Sequence, residues 1–491
     1  MKSDQTSVRV TTLILTGLLT AGLLTGCAVG PDFQRPATPD VANYTVATIP
    51  EQTASAPIAM GTAQHFSADV PVSEEWWRSL GSPELNTLIA QAFQHSLTLA
   101  AAQATMRQAQ ETYAARAGST LYPQVDANLG AQRQRLNPST LGQVGDARVF
   151  SLYNANIGVH YQFDLAGGNR RALEALAART EYRQYELQAA RLSLAGNIVT
   201  AAVTQARLAG QIQSTLTILG AQDEQLQITQ ARVRLGHAAA DEVLTLQTQL
   251  EQTRAGLPTL RKQLEQSQHL LAVLIGQTPG AGGLPTFTLA NFTLPAELPL
   301  VLPSELVRRR PDIQAAESLL HAANADYGVA VAKLYPQLNL SASLGSQALT
   351  TGALFGSSSA LWNVVGQLTQ PLFNPGLPAE KRASLAAFDA AAANYQSVVL
   401  ESLRNVADVL RAIDNDAQTL AALAAADTAA QNSLQSVQRQ YALGAASYVQ
   451  LLIAQQQRQQ TNISLIAAQA QRLVNSAALY QAMGGGVAAL H

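Results

Sequence analysis

The chain has 491 residues, enough for two or three domains, and a single cysteine, which excludes an intrachain disulfide. Its 31 basic and 33 acidic residues leave a formal net charge of −2. The chain therefore lacks the basic excess of nucleic-acid-binding proteins, and no nucleic acid is expected as a partner.

Residues 1–26 have the pattern of a lipoprotein signal peptide. Lys2 and Arg9 precede an apolar run at 10–24, which is shorter than the roughly 20 residues that a spanning helix needs. The sequence LTGC at 24–27 then resembles the bacterial lipobox, in which the chain is cut before the cysteine and acylated. We predict a covalent lipid on Cys27 and no other cofactor. The alternative is a buried thiol inside an uncleaved anchor helix.

Residues 27–75 are predicted to form a lipidated, extended N-terminal tether, because 28–70 are rich in Ala, Thr, Pro and Val and poor in large side chains. The alternative is a strand-poor segment that wraps over the protein surface. Ala28, rather than an aspartate, follows Cys27. By resemblance to bacterial lipoproteins, this favours sorting to the outer membrane. No later stretch approaches about 18 consecutive apolar residues, so a body that crosses the membrane must do so as strands closed into a barrel.

An internal repeat of about 210 residues organises the rest of the chain. Tyr122-Pro123-Gln124 returns as Tyr335-Pro336-Gln337, and Leu235-Gly236 returns as Leu443-Gly444. Each half reads as helix, strand, strand, long helix, tip and return helix. The predicted divisions are a first repeat at 76–276, a linker at 277–302, a second repeat at 303–484 and a C-terminal tail at 485–491.

Two strands are predicted in each repeat, at about 122–136 and 149–166 and at about 336–350 and 359–373. Leu338, Leu340 and Leu344 alternate with polar residues such as Asn339 and Ser341. This alternation suits a transmembrane barrel with a wet lumen, and it suits a half-buried soluble hairpin equally well.

The helices favour the first interpretation. Segments 168–234 and 377–442 read as continuous helices of about 100 Å, at 1.5 Å per residue. In the second of them, apolar residues follow heptad spacing from Val399 to Leu420. The Leu-Gly pairs are predicted to end the long helices, and return helices are predicted at 239–276 and 447–483. Pro258 predicts a kink or a break in the first return helix.

Four strands are too few to close a membrane barrel, since the smallest have eight. Closure therefore requires several chains, and three copies would supply twelve strands. The predicted fold class is mixed: long α-helices joined to a twelve-stranded transmembrane β-barrel in a trimer. The three-fold count depends on the resemblance described next.

The chain resembles the outer membrane factor family, a TolC-like group, and within it the NodT/OprM-like efflux lipoproteins. The resemblance covers nearly all of residues 24–484. Its marks are Cys27 followed by AVGPDFQRP, Trp76-Trp77 before LGSPELNTLIAQAF, LYPQ twice, RRRPDIQAAE at 308–317, and the two Leu-Gly tips.

This resemblance implies a homotrimer in the lipid of the bacterial outer membrane, anchored by its own acyl chains and extended through the periplasm as a helical coiled-coil tunnel. It implies passive export of antibiotics or other small toxic compounds, with a periplasmic adaptor and an inner-membrane pump as partners. The helix-hairpin tips at Leu235-Gly236 and Leu443-Gly444 would be the docking points for these partners. Two alternatives are a periplasmic coiled-coil lipoprotein acting as a spacer or adaptor, and an exit duct for secreted peptides or proteins.

Aperture residues are carried over from the family, in which acidic residues beside the tips ring the periplasmic opening. Asp241 or Glu242 fits the acidic position after the first tip. The second tip has no acid there, so Tyr448 and Gln450 stand in, and a double acidic ring is not expected. The alternative is that the two acids only stabilise the N-terminus of the return helix, by about 0.3–1 kcal/mol each.

Three other groups of residues have competing interpretations. In RRRPDI at 308–313, we expect Pro311 to begin a helix and Arg308–Arg310 to be solvated, rather than to dock a partner. Trp76 and Trp77 are expected to pack against the equator of the helical barrel rather than to anchor at a membrane interface. The junctions before the strands, Tyr122-Pro123 and Tyr335-Pro336, belong either to an aromatic girdle or to local packing.

Seven histidines are scattered without metal-ligand spacing, and no nucleophile elbow or phosphate-binding loop is present in the sequence. We therefore predict no metal site and no enzymatic activity.

Overall fold

The computed structural model describes residues 28–138, 142 and 144–486. The predicted signal peptide, Cys27 and most of the C-terminal tail lie outside this range. The chain divides into two compact units. The first comprises the described part of 1–35 together with Met106–Arg183 and Ala316–Tyr395, and the second comprises Pro36–Thr105, Gln184–Ala315 and the described part of 396–491.

The described α-helices are α1 (Pro83–His95), α2 (Leu97–Leu121), α3 (Gly168–Arg234), α4 (Ala240–Leu274), α5 (Pro303–Arg309), α6 (Pro311–Ala332), α7 (Gly376–Ala442) and α8 (Tyr448–Ala482). The described strands are β1 (His65–Ser67), β2 (Gln124–Leu136), β3 (Arg148–Phe163), β4 (Glu297–Pro299), β5 (Gln337–Ala348) and β6 (Ala360–Thr369). Among these helices, none is both long enough and apolar enough to cross a bilayer.

The internal repeat is visible in the helix lengths. The long helices α3 and α7 each have 67 residues, and the return helices α4 and α8 each have 35. The second unit also contains a two-stranded parallel sheet of β1 and β4. The predicted doubling of one structural plan is therefore present in the folded chain.

The first unit contains a four-stranded antiparallel sheet in the order β2-β3-β5-β6. Its loop end carries the β2–β3 and β5–β6 connections, and its helix end is where the strands join the helices. Residues in register share a face, because side chains alternate along each strand. One face, called the apolar face, carries Val125, Ala127 and Leu129 of β2, Ile157 and Val159 of β3, Leu340 and Leu344 of β5, and Trp362 and Val364 of β6. The opposite face, called the polar face, carries Asp126, Asn128, Asn156, His160, Asn339, Ser341, Ser343, Asn363 and Gln367.

All four strands of this sheet are shorter than predicted, and two of them end three or four residues early for a local reason. Strand β3 ends at Phe163 because Asp164 begins the turn into α3, where its carboxylate accepts hydrogen bonds from the backbone N–H groups of Asn169 (2.9 Å) and Arg170 (2.8 Å). Strand β6 ends at Thr369, and Pro371, which has no N–H to donate to a strand ladder, follows shortly after.

The second unit is held together by the predicted seams. In α7, Val406, Leu410, Ile413 and Leu420 are each at most 2% exposed. In α3, Ile198 and Leu208 are equally buried, and Gln205, which interrupts the apolar spacing, is buried between them with no partner for its Oε1 among the described residues. The seams join Trp76, Trp77 and part of α8 in one hydrophobic core.

Pro258 does not break α4. The helix continues from Ala240 to Leu274 through the proline. A proline inside a helix removes one backbone hydrogen bond and costs about 3 kcal/mol. Buried Leu250 and Leu257 on the same helix offset this cost by packing.

Candidate functional site at the helix tips

Both long helices end in the same backbone motif. At the first tip, Gly236 has φ = 75°, its N–H bonds to Val233 O (3.0 Å), and the next N–H, of His237, bonds to Arg232 O (2.8 Å). At the second tip, Gly444 has φ = 77° with the matching pair of hydrogen bonds from its own N–H and that of Ala445. This left-handed turn strains any residue with a Cβ, so glycine ends each helix.

The leucines before these glycines point away from the packed core. Leu235 is 72% exposed and Leu443 is 85% exposed. Each tip therefore presents a large apolar side chain on a turn whose backbone is fixed by two hydrogen bonds.

The two acidic residues of the first tip occupy different environments. Both lie in the first turn of α4, whose N-cap, Ala239, provides no side-chain hydrogen bond. Asp241 is exposed, whereas Glu242 is half-buried and accepts a hydrogen bond from the Tyr441 hydroxyl (3.0 Å). Both acids favour the helix N-terminus, and Glu242 in addition links the first tip to the second.

Tyr441, near the end of α7, is the centre of this contact. Its ring is 8% exposed, lies 6.3 Å from the Tyr448 ring in an edge-on arrangement, and is covered by the guanidinium of Arg232 at 4.9 Å. Burial raises the pKa of Tyr441, and the hydrogen bond to Glu242 raises it further. Sequence reasoning missed both Tyr441 and Arg232, although a tyrosine three residues before the helix-ending Gly444 was a usable signal.

Tyr448 and Gln450 are not equivalent to the acids for which they stand in. Tyr448 is 7% exposed, and its hydroxyl has no hydrogen-bond partner among the described residues. Burial raises the pKa of Tyr448 to about 12. Gln450 forms a capping box with Ser447, in which its Oε1 accepts from the Ser447 N–H (2.7 Å). Within one chain, Tyr448 therefore packs the tip and Gln450 caps α8.

The two strand junctions are placed alike at the helix end of the sheet. Tyr122-Pro123 directly precedes β2, and Tyr335-Pro336 directly precedes β5. Tyr122 is 67% exposed and Tyr335 is 45% exposed. Neither ring is buried within the chain, and the choice between an aromatic girdle and local packing stays a prediction.

One expectation for the RRRPDI segment is wrong. Pro311 begins α6 as predicted, and Arg308 and Arg309 are exposed, but Arg310 is not solvated. Its guanidinium pairs with Asp312 (2.7 Å) and donates to Ala482 O (2.9 Å) at the end of α8. The sequence could not reveal this contact, because Ala482 lies in a distant helix.

Trp76 and Trp77 lie in the hydrophobic core of the second unit. They are 1% and 6% exposed, and Trp76 stacks on Tyr480 at 5.7 Å while Trp77 meets Phe93 edge-on at 5.5 Å. Neither is available as an anchor at a membrane interface.

Part of the predicted tether is fixed in the first unit by an ionic cluster. Arg171 of α3 pairs with Asp32 (2.7 Å) and Glu174 (2.8 Å), and Glu174 also contacts His321 of α6 (2.9 Å). Phe33 stacks on the His321 ring at 4.4 Å. Burial alone would raise the pKa of Glu174, but hydrogen bonds from Arg171 and His321 outweigh burial and lower it.

A later part of the tether is fixed in the second unit by a buried cation. Arg472 of α8 is 1% exposed and donates to Met60 O (2.5 Å), Thr62 O (3.0 Å), Thr53 Oγ1 (3.2 Å) and Gln64 Oε1 (3.0 Å). Burial lowers the pKa of Arg472, which Asp416 partly offsets. The segment thus packs on the protein at defined points, as in the alternative of a wrap over the surface.

No cluster of three or more His, Cys, Asp or Glu residues suited to a metal ion occurs in the described ranges.

Comparison with known proteins gives consistent matches. The sequence matches a family model described as outer membrane efflux protein over residues 88–277 and 302–485. It is 29% identical over 484 residues to a toluene efflux pump outer membrane protein, TtgC, of Pseudomonas putida, covering 97% of this chain and 96% of that protein. It is 31% identical over 425 residues to a pyoverdine export outer membrane protein, OpmQ, of the same species, covering 84% and 88%. The fold is similar to that of the outer-membrane channel OprN, with 28% identity, a TM-score of 0.83, and coverage of 94% of this chain and 99% of that one.

Proposed function

The chain belongs to the outer membrane efflux protein family, and we propose that it forms the exit duct through which an inner-membrane pump expels small toxic compounds. Members of this family and the similar solved structures are channel and transport proteins of the outer membrane. The predicted fold class is confirmed, because the similar solved structures are trimeric channels of mixed α and β structure with long helices.

The observation that carries the proposal is the pair of unlike faces on the four-stranded sheet. On the apolar face Leu129 is 84% exposed and Trp362 is 74% exposed, so this face requires an apolar cover. The polar face suits water. Strands that are apolar on one side and polar on the other are typical of membrane channels with a wet lumen.

Trimer formation completes the sheet. Strands β2 and β6 are its edges within one chain, and an unpaired edge in lipid leaves backbone N–H and C=O groups without partners, at several kcal/mol each. Pairing β2 of one chain with β6 of the next satisfies these groups. Three chains then supply the twelve strands of the predicted fold.

Homologues act in efflux systems that also contain an adaptor and an inner-membrane pump. We propose that the two tips, Leu235-Gly236 and Leu443-Gly444, are the contact points for such partners here. Exposed leucines on rigid turns support this role, because an apolar anchor held in one conformation loses little entropy on binding.

We propose further that Asp241 and Glu242 line the periplasmic aperture. Three copies of an exposed aspartate near the trimer axis would form a ring of negative charge that favours cations. Glu242 is held by Tyr441, so its contribution is to keep the tips closed. Tyr448 and Gln450 support the second tip by packing and capping.

Lipidation of Cys27 is part of the proposal. Two or three acyl chains give stable anchoring, and the described chain that follows Cys27 is fixed at once, since Val29 N–H bonds to Ala166 O (3.0 Å). The lipid would therefore enter the membrane beside the helix end of the sheet.

Single-channel recording in planar bilayers, with the oligomer mass in detergent, tests the function. We expect a trimer that conducts ions, and a deletion strain that becomes sensitive to a panel of solvents and antibiotics. Relatives are named for toluene efflux and for pyoverdine export, so the panel should include toluene and pyoverdine. A monomer without conductance would instead indicate a periplasmic spacer, and unchanged sensitivity across the panel would contradict toxic-compound efflux.

A further inference from the structure

Charges in the four-stranded sheet are separated along its length. The cations in its strands are Arg133, Arg135 and Arg148, and all three lie near the loop end. The only acid in these strands, Asp126, lies at the helix end. Strands β5 and β6 carry no charged residue. Strand pairing does not require this separation of charge. The separation therefore indicates that the loop end binds a ligand or faces a different environment from the helix end.

The register assigns these arginines to different faces. Arg133 and Arg135 pair with Ser151 and Val149, and they follow Leu129 and Ala131 on the apolar face. Arg148 pairs with Leu136 and lies on the polar face. Two cations thus continue the line of side chains that meets lipid, and the third does not.

The distance along the strand places the pair at the boundary of the membrane. From Val125, Arg133 and Arg135 are about 27 and 34 Å away, at 3.4 Å per residue. Strands tilted by about 35–45° cross an apolar band about 25 Å tall, so both guanidinium groups lie near its outer limit. Tyr153, opposite Ala131, stands one step before Arg133 on this face, as an aromatic residue does at a membrane interface.

Both arginines are exposed, and neither side chain forms a hydrogen bond or ion pair with another described residue. Spaced two residues apart on one face, they are about 7 Å apart along the strand. A guanidinium binds phosphate with two parallel hydrogen bonds, and the exposed aromatic and apolar residues beside it bind acyl chains.

We propose that Arg133 and Arg135 bind the phosphate groups of lipid A, the glycolipid headgroup of the outer leaflet. The proposal rests on the proposed function, since it requires the helix end of the sheet to face the periplasm. A phosphate-bearing lipid on the apolar face matches the positive charge of the two arginines, their position at the membrane boundary and their capacity to donate hydrogen bonds. Arg148, with the same charge but on the other face, lies outside the site.

The test measures lipid binding to the purified full-length trimer by native mass spectrometry. The variants are Arg133→Gln/Arg135→Gln and the matched control Arg148→Gln. The probes are bisphosphorylated lipid A, the same lipid without phosphates, phosphatidylglycerol and inorganic phosphate. We expect the double variant to bind bisphosphorylated lipid A about tenfold more weakly, and the control to remain within about twofold of wild type.

Equal binding of lipid A by the double variant and wild type would overturn the assignment. If wild type bound phosphatidylglycerol as tightly as lipid A, the ligand would not be specifically a glycolipid. If wild type bound inorganic phosphate tightly and the double variant did not, the arginines would form a site for free anions instead. Channel conductance of the same preparations separates this result from the proposed function. A conducting trimer without the lipid preference refutes only the lipid site, whereas a non-conducting protein refutes the duct.

Discussion

The Tyr441 hydroxyl donates a hydrogen bond of 3.0 Å to the Glu242 carboxylate, across 199 positions of the chain. This bond joins the end of α7 to the first turn of α4, and Arg232 covers the same tyrosine ring from α3. The two helical hairpins are thus connected at their tips by a hydrogen bond and a cation–π contact that both involve Tyr441.

Replacing Tyr441 with phenylalanine should loosen the tips. The change removes a hydrogen bond to a charged group, about 1–2 kcal/mol for each subunit, while leaving the ring packing in place. We expect more frequent openings and a higher mean conductance in planar bilayers. Tyr448→Phe is the matched control, because the Tyr448 hydroxyl has no described partner. Equal conductance of Tyr441→Phe and wild type would remove this bond from the closing of the tips.

Replacing Asp241 and replacing Glu242 should change different properties of the channel. Asp241→Asn removes an exposed charge and should lower the preference for cations, seen as a smaller reversal potential in a salt gradient. Glu242→Gln removes the charged acceptor of the Tyr441 bond and should mainly raise the open probability. The double variant Asp241→Ala/Glu242→Ala should show both effects. If its ion selectivity matched wild type, these acids would not line the aperture.

Alkaline pH should open the tips through the tyrosines. Packing favours the protonated phenol of Tyr448, because its folded-state pKa of about 12 lies above the ordinary value of 10.0. The stabilisation is complete below pH 10 and is lost as the pH rises toward 12. We expect conductance to rise over this interval. The rise should be smaller in Tyr448→Phe, and an unchanged rise in that variant would assign it to other groups.

Arg472 should matter for stability rather than for conduction. Its four hydrogen bonds hold residues 53–64 against α8, and Arg472→Gln leaves several of those acceptors buried without donors. We expect a loss of about 2–4 kcal/mol in the free energy of unfolding, measured by denaturant titration. Arg439→Gln, at an exposed position of α7, is the control and should change stability by less than about 0.5 kcal/mol.

Elements governed by local rules were predictable from the sequence. The long helices follow from heptad spacing between Val399 and Leu420, and their ends follow from Gly236 and Gly444, where the left-handed turn requires glycine. The strands follow from alternation, with the largest errors where Asp164 and Pro371 act.

Contacts between distant segments were not predictable. The bonds of Tyr441 to Glu242, of Arg310 to Ala482 and of Arg171 to Asp32 each join residues more than a hundred positions apart. A single sequence records the residue types in such a pair but not their proximity. The predictions therefore placed Arg310 in solvent and left residues 27–75 as either an extended tether or a wrap over the surface.

The start of the described chain is hydrogen-bonded to the first unit, and this determines the effect of lengthening the N-terminal segment. Val29, two positions after Cys27 in the sequence, donates a backbone hydrogen bond to Ala166 O in the turn before α3. Residues inserted after Arg35 would leave the proposed lipid site tied to Ala166 through Val29. Residues inserted between Ala28 and Val29 would separate the lipid site from this hydrogen bond. The proposed lipid would thus be attached at a fixed height on the protein rather than at the end of a flexible linker.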